Sequence, residues 1–132
     1  MTVDVRVKIP EEAGRIAEKI LQLKAHPATP GISVDADFIL TRPPMNPGEK
    51  TPKLCALVEE AGKEAGVEFG WQSTGGGSDG NFTAALGVPT VDGLGAMGGG
   101  SHSIGEYIEI DALPSRFAML LGLLERIPDA GF

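Results

Sequence analysis

Twelve of the nineteen glycines fall between Gly70 and Gly105. A residue without a Cβ loses the most backbone freedom on folding and is placed chiefly where a chain turns tightly or approaches another group closely. This stretch of the chain therefore cannot be built from long regular elements. Its working parts are expected on backbone-lined loops carried by the segments on either side.

Those segments have clear periodicity. Residues 2–8 alternate charged and apolar side chains as a strand does. Pro10 then opens a helix with Glu11 and Glu12 in its first turn and Ile16, Ile20 and Leu23 on one face. His26-Pro27-Ala28-Thr29-Pro30-Gly31 ends the helix, and Ile32, Val34, Ala36, Phe38 and Leu40 alternate as a second strand. The first third thus reads as a β-α-β unit. Arg42 to Lys50, with three prolines, can be neither helix nor central strand and marks a boundary.

A second helix is expected from Thr51, with Thr51 as its cap and Leu54, Leu57, Val58 and Ala61 turned inward. Short strands are expected at Val67, Phe69 and Trp71, at Val88 to Val91, and as an extended piece at Tyr107, Ile108 and Ile110. A short helix is expected at Asn81 to Leu86. A last helix is capped by Asp111 and presents Leu113, Phe117, Leu120, Leu121 and Leu124 to a core. This α-β-α-β-α order is that of an open, mostly parallel sheet, so the fold class reads as α/β.

At 132 residues there is room for one ordinary domain or two partial ones. Eleven basic against eighteen acidic residues give a net charge of -7, with no cluster of Lys and Arg to neutralise phosphates. Nucleic acid is therefore not the expected partner. No apolar run approaches the roughly 20 residues of a membrane span. The alternating N-terminus does not resemble a secretory signal, so the expected location is cytoplasmic.

Several residues invite a chemical reading. Gly76-Gly77-Ser78-Asp79-Gly80 fits the G-x-S-x-G pattern of a nucleophile elbow, and Asp92 and His102 follow in the order of an α/β-hydrolase triad. Few strands surround that loop to hold a triad, and a phosphate loop would need Gly-Lys-Ser/Thr, which is missing. His102 lies among glycines and serines, where an imidazole can reach a metal or substrate, but no second His, Cys or paired carboxylate is near it in sequence. His26 suits a helix C-terminus, Cys55 reads as a core thiol, and Glu59 and Glu60 read as a solvated face. Asn81-Phe82-Thr83 fits a glycosylation acceptor only in a secreted chain.

Taken in order, Thr74-Gly75-Gly76-Gly77-Ser78-Asp79-Gly80-Asn81-Phe82, Gly87-Val88-Pro89-Thr90-Val91-Asp92-Gly93-Leu94-Gly95, Ser101-His102-Ser103, Glu106-Tyr107 and Leu113-Pro114 form a longer pattern. It resembles the C-terminal end of the co-catalytic zinc peptidases, a family that includes glutamate carboxypeptidase, succinyl-diaminopimelate desuccinylase, acetylornithine deacetylase and aminoacylase. Residues 1–45 resemble the second half of that family's ferredoxin-like lid, or dimerisation, domain, and residues 46–132 the end of its catalytic domain.

The resemblance implies hydrolysis of an amide bond beside a carboxylate by an enzyme holding two zinc ions, with His102 as the last metal ligand. It places Arg42, Gly75, Gly76, Ser78 and Asn81 on the substrate carboxylate, the loop amides acting at a helix start. Relatives carry an arginine where this chain has Asn81 or near Ser73, so two basic groups are replaced here. The family's remaining metal ligands and its general base precede the lid. The resemblance thus implies a piece that is inactive alone, acting either with a missing N-terminal half or as a non-catalytic assembly module. Half a lid further implies a homodimer.

Overall fold

The computed structural model describes residues 1–132, which divide into two compact units. One comprises Met1–Asn46 with Gly75–Gly87, the other Pro47–Thr74 with Val88–Phe132.

In the first unit, α1 spans Pro10–Ala25. Pro10 supplies its fixed φ at the start, where a missing N–H costs nothing. Glu12 then reaches back to accept the Lys8 amide at 3.2 Å. Acidic residues in the first turn and Lys24 in the last complement the helix dipole. Only Ala13 is buried. Ile16 and Ile20 are half-buried, while Leu23 is exposed, so the expected apolar face is seated as far as Ile20 and not in the last turn.

After α1, Ile32 donates to the Thr29 carbonyl at 3.3 Å and Gly31 takes a φ of 79°, closing a turn. Lys24 and Asp35 then pair at 2.6 Å. The pairing holds the Asp35 carboxyl below its ordinary range and the Lys24 ammonium above its own. The short helix α3, Gly80–Ala85, also belongs to this unit.

The second unit is organised by α2, Thr51–Glu64, packed on α4, Leu113–Arg126. Leu54, Val58 and Ala61 of α2 meet Met119 and Leu123 of α4, with Val67 closing the cluster. Thr51 is the first helical residue rather than the cap. Its hydroxyl accepts the Gly48 amide at 3.0 Å and bonds no helix amide. The C-terminus of α2 is a Schellman motif: Val67 donates to Gly62 at 2.8 Å, Gly66 donates to Lys63 at 3.3 Å, and Gly66 adopts a φ of 68°. Gly66 therefore terminates the helix by satisfying its last carbonyls. Cys55 is half-buried, and burial reinforced by Glu59 pushes its thiol above the usual range, as suits a packing residue.

The single sheet is a two-residue antiparallel pair, β1 Gly98–Gly99 against β2 Tyr107–Ile108, with Gly98 opposite Ile108 and Gly99 opposite Tyr107. The strands expected at residues 2–8, 32–41, 67–71 and 88–91 form no ladder, and no parallel pair is present. Burial nonetheless alternates along the second of them: Val34, Ala36 and Phe38 are half-buried and their neighbours exposed. Period-two patterning specifies which face of a segment is apolar. A strand also needs a neighbour to supply its hydrogen bonds, and alternation does not encode that neighbour.

The last helix differs from expectation in its orientation. Asp111 lies in a 3-10 turn, Ile110–Ala112, and caps nothing through its side chain. The buried residues of α4 are Arg116, Met119 and Leu123, whereas Leu113, Phe117, Leu121 and Leu124 are exposed. The helix carries two apolar stripes, and α2 covers only one of them.

Candidate functional site

The chemistry-bearing residues form one group in each unit. In the first unit, the loop before α3 is closed on itself. Ser78 donates its amide to Asn81 Oδ1 at 2.8 Å, and Gly80 donates to Ser78 Oγ at 3.0 Å. The amides of Asn81 and Phe82 go to the carbonyls of Ser78 and Asp79. Asn81 is buried, and its amide nitrogen donates to the Pro43 carbonyl at 2.7 Å, tying the loop to the Arg42-Pro43-Pro44 turn. The Gly75 carbonyl accepts from Arg6 at 2.6 Å.

Of the residues expected on a substrate carboxylate, Asn81 and Ser78 are thus engaged within the loop, and α3 is only six residues long. Arg42 offers a more open group. Its guanidinium lies over the Phe82 ring, 5.2 Å from the centroid, and pairs with Asp79 at 3.2 Å. A Cβ on Gly77 would come within 3.3 Å of Arg42 Cδ, so glycine is what lets the arginine lie along the loop.

In the second unit, His102 stands in the turn of the β1–β2 hairpin and is exposed. It is the only non-glycine residue with positive φ, at 65°. That conformation costs a non-glycine residue about 1–2 kcal/mol and persists where surrounding bonds over-determine it. Those bonds are present. Ser103 donates from both its amide, at 3.0 Å, and its hydroxyl, at 2.7 Å, to the Gly100 carbonyl. The Gly105 amide donates to Ser103 Oγ at 3.1 Å, and Glu109 donates to the Met97 carbonyl at 2.8 Å across the base of the hairpin.

The glycine loop before the hairpin is anchored by Arg116, which is buried on α4 and donates to the Gly95 and Gly93 carbonyls at 2.8 and 2.7 Å. No carboxylate pairs with it. A planar fork of donors suits two neighbouring carbonyls better than a single ammonium would. Sequence reasoning missed this residue because it counted α4 by its leucines. The available signal was an arginine in a first turn, where the helix dipole disfavours a cation.

Within the second unit Asp92 and His102 share no hydrogen bond, and in the first Ser78 Oγ accepts the Gly80 amide. A metal is not accommodated by the residues present, since no three His, Cys, Asp or Glu side chains cluster to hold one. His102 provides one imidazole, whereas zinc normally takes four ligands. A cleft of about 580 Å³ lined by Lys53, Leu57, Glu60, Glu125, Arg126, Asp129 and Ala130 contains neither His102 nor the glycine loop. No helix is long and apolar enough to cross a membrane.

Comparison with known proteins gives this geometry a context. The model of peptidase family M20/M25/M40 matches residues 3–126. Carboxypeptidase G2 of Pseudomonas sp. (strain RS-16) is 40% identical over 97 residues, covering 68% of this chain and 23% of that protein. The chain therefore spans about a quarter of the length of this curated relative. No solved structure matches. The anchored glycine loops and the lone histidine in a strained hairpin turn stand within a match that runs almost from end to end, and the chain belongs to peptidase family M20/M25/M40.

Proposed function

We propose that this chain is the C-terminal, substrate-side portion of a zinc-dependent carboxypeptidase or deacylase that cleaves an amide bond next to a carboxylate. The observation that carries the reading is His102, held exposed in a left-handed turn by a hairpin whose approach loop is clamped by Arg116. Family membership and the 40% identity to a carboxypeptidase support the reaction class. In this reading His102 provides one metal ligand, and Arg42 receives the substrate carboxylate. The other ligands and the general base come from residues outside this chain, so the residues present do not complete a catalytic site. The extended segments at 2–8, 32–41 and 88–91 take their places in a lid sheet and an open catalytic sheet once neighbouring strands are supplied.

A chimera tests this. The 97-residue match in the Pseudomonas carboxypeptidase is replaced by the corresponding part of this chain. The chimera is expected to retain metal-dependent peptidase activity, His102→Ala to strip metal and abolish turnover, and Arg42→Ala chiefly to raise KM. The chain alone is expected to show no hydrolysis of dipeptides or N-acyl amino acids with zinc or cobalt. Turnover by the chain alone that survived a chelator and vanished in Ser78→Ala would favour a serine hydrolase instead.

The partner we propose is a second copy. Val3, Val5 and Ile32 are exposed on segments patterned as strands but lacking ladder partners, and closed two-fold dimers are the commonest assemblies. Sedimentation at micromolar concentration should give a dimer. A persistent monomer would remove this part of the reading.

A further inference from the structure

Asp79 occupies the N-cap position of α3, where an aspartate ordinarily accepts an amide of the first turn. Its carboxylate makes no such bond. The Phe82 amide is taken by the Asp79 backbone carbonyl at 3.1 Å, and the side chain is turned instead to Arg42, with Nη2 to Oδ1 at 3.2 Å. Arg42 is otherwise set to receive an anion. Its face rests on Phe82 and its stem lies against Gly77, leaving the Arg42 side chain about a third exposed while the Asp79 side chain is almost wholly in solvent.

We propose that Asp79 sets the affinity of Arg42 for carboxylates: its carboxylate is the resident counter-ion of Arg42 and competes with the carboxylate of an incoming ligand. The inference rests on Arg42 being the carboxylate receiver of the reading above, and it goes further by saying what a ligand must displace. The fork of an arginine matches a carboxylate through two parallel N–H···O bonds. Asp79 on Nη2 occupies one of the two edges through which the fork takes a carboxylate by parallel bonds, and its charge repels a second carboxylate arriving at the other edge. An exposed, single-contact pair is weak, so the competition is modest and reversible. Its effect is to disfavour ligands that offer a single carboxylate and nothing else, and to admit those whose other contacts add to the displacement.

The probe is glutarate, with acetate as the single-carboxylate comparison, titrated into the chain labelled with 15N while the Arg42 Nε–H resonance is followed. Asp79→Asn keeps the shape and removes the charge, and Asp79→Ser removes the carboxylate altogether. Since Asp79 is exposed, both variants should fold, as unchanged backbone amide spectra would verify. Both are expected to tighten glutarate and acetate by about three- to fivefold, and the gain should shrink as salt is raised. Unchanged or weaker binding in both variants overturns the proposal, weaker binding meaning that Asp79 orients Arg42 rather than competing for it. If Arg42 responds to neither probe in any variant, the assignment of Arg42 as carboxylate receiver fails and this inference fails with it. A response that is equal in all three proteins overturns the competition alone.

Discussion

Met119→Ala is expected to unfold the α2–α4 unit under conditions in which the parent chain is folded. The Met119 side chain is fully buried, and the core it completes contains only five other buried residues. Truncating a buried methionine to alanine costs about 2–5 kcal/mol, through lost transfer energy and the cavity left behind. Small domains have only about 5–15 kcal/mol of stability in all. Urea denaturation followed by helical circular dichroism should show the midpoint falling steeply or a folded baseline disappearing. Phe117→Ala on the same helix is the contrast. Phe117 is 69% exposed, so its removal should change stability by only about 0.5 kcal/mol. The reverse ranking would mean that α4 presents its other stripe to α2.

Gly98→Ala is expected to open the hairpin that carries His102 while leaving the helical core intact. A Cβ at Gly98 would collide with the Tyr107 carbonyl oxygen and lie 3.0 Å from Ile108 Cα. Both are backbone atoms of the paired strand and cannot turn aside as a side-chain tip can. Overpacking of this kind costs about 1–3 kcal/mol, and a ladder of two residue pairs has little to set against it. Hydrogen exchange should show the Glu109 amide, bonded to Met97 across the hairpin base, losing protection. The amides of α2 and α4 should keep theirs. Gly95→Ala is the control on the same stretch, because nothing lies within 4 Å of a Cβ there. In the chimera, Gly98→Ala should lower metal content as His102→Ala does, although it leaves the imidazole in place.

The elements legible in the sequence are those whose signals are local. Pro10 with Glu11 and Glu12 announces α1, and Pro52 and Pro114 mark the first turns of α2 and α4. Each acts within one helical turn of itself, so no distant contact is needed to read it. The glycine clusters likewise announce loops, because the absence of a Cβ is a property of the residue alone. His102 was legible as a loop histidine for the same reason, and the ordered motifs around it were enough to indicate a zinc peptidase family.

What only the tertiary structure decided lies in pairings between residues far apart in sequence. α4 is apolar on two sides, and contact with Val58 and Ala61 of α2, rather than any pattern within α4, selects Met119 and Leu123 for the core. The segment 32–41 alternates as a strand should, yet forms no ladder, since hydrogen-bond partners are supplied by another segment and not by periodicity. Asn81 looks like a side chain free to meet a ligand until the Pro43 carbonyl, 38 residues earlier, is found on its amide. Arg116 becomes an anchor only because the Gly93 and Gly95 carbonyls converge on it. By itself the sequence determined where helices begin, where loops fall and which family the motifs indicate, because backbone propensity and residue identity act over a few residues. Which face is buried, which strand is paired and which polar group is already engaged depend on non-local contacts, which only the folded chain specifies.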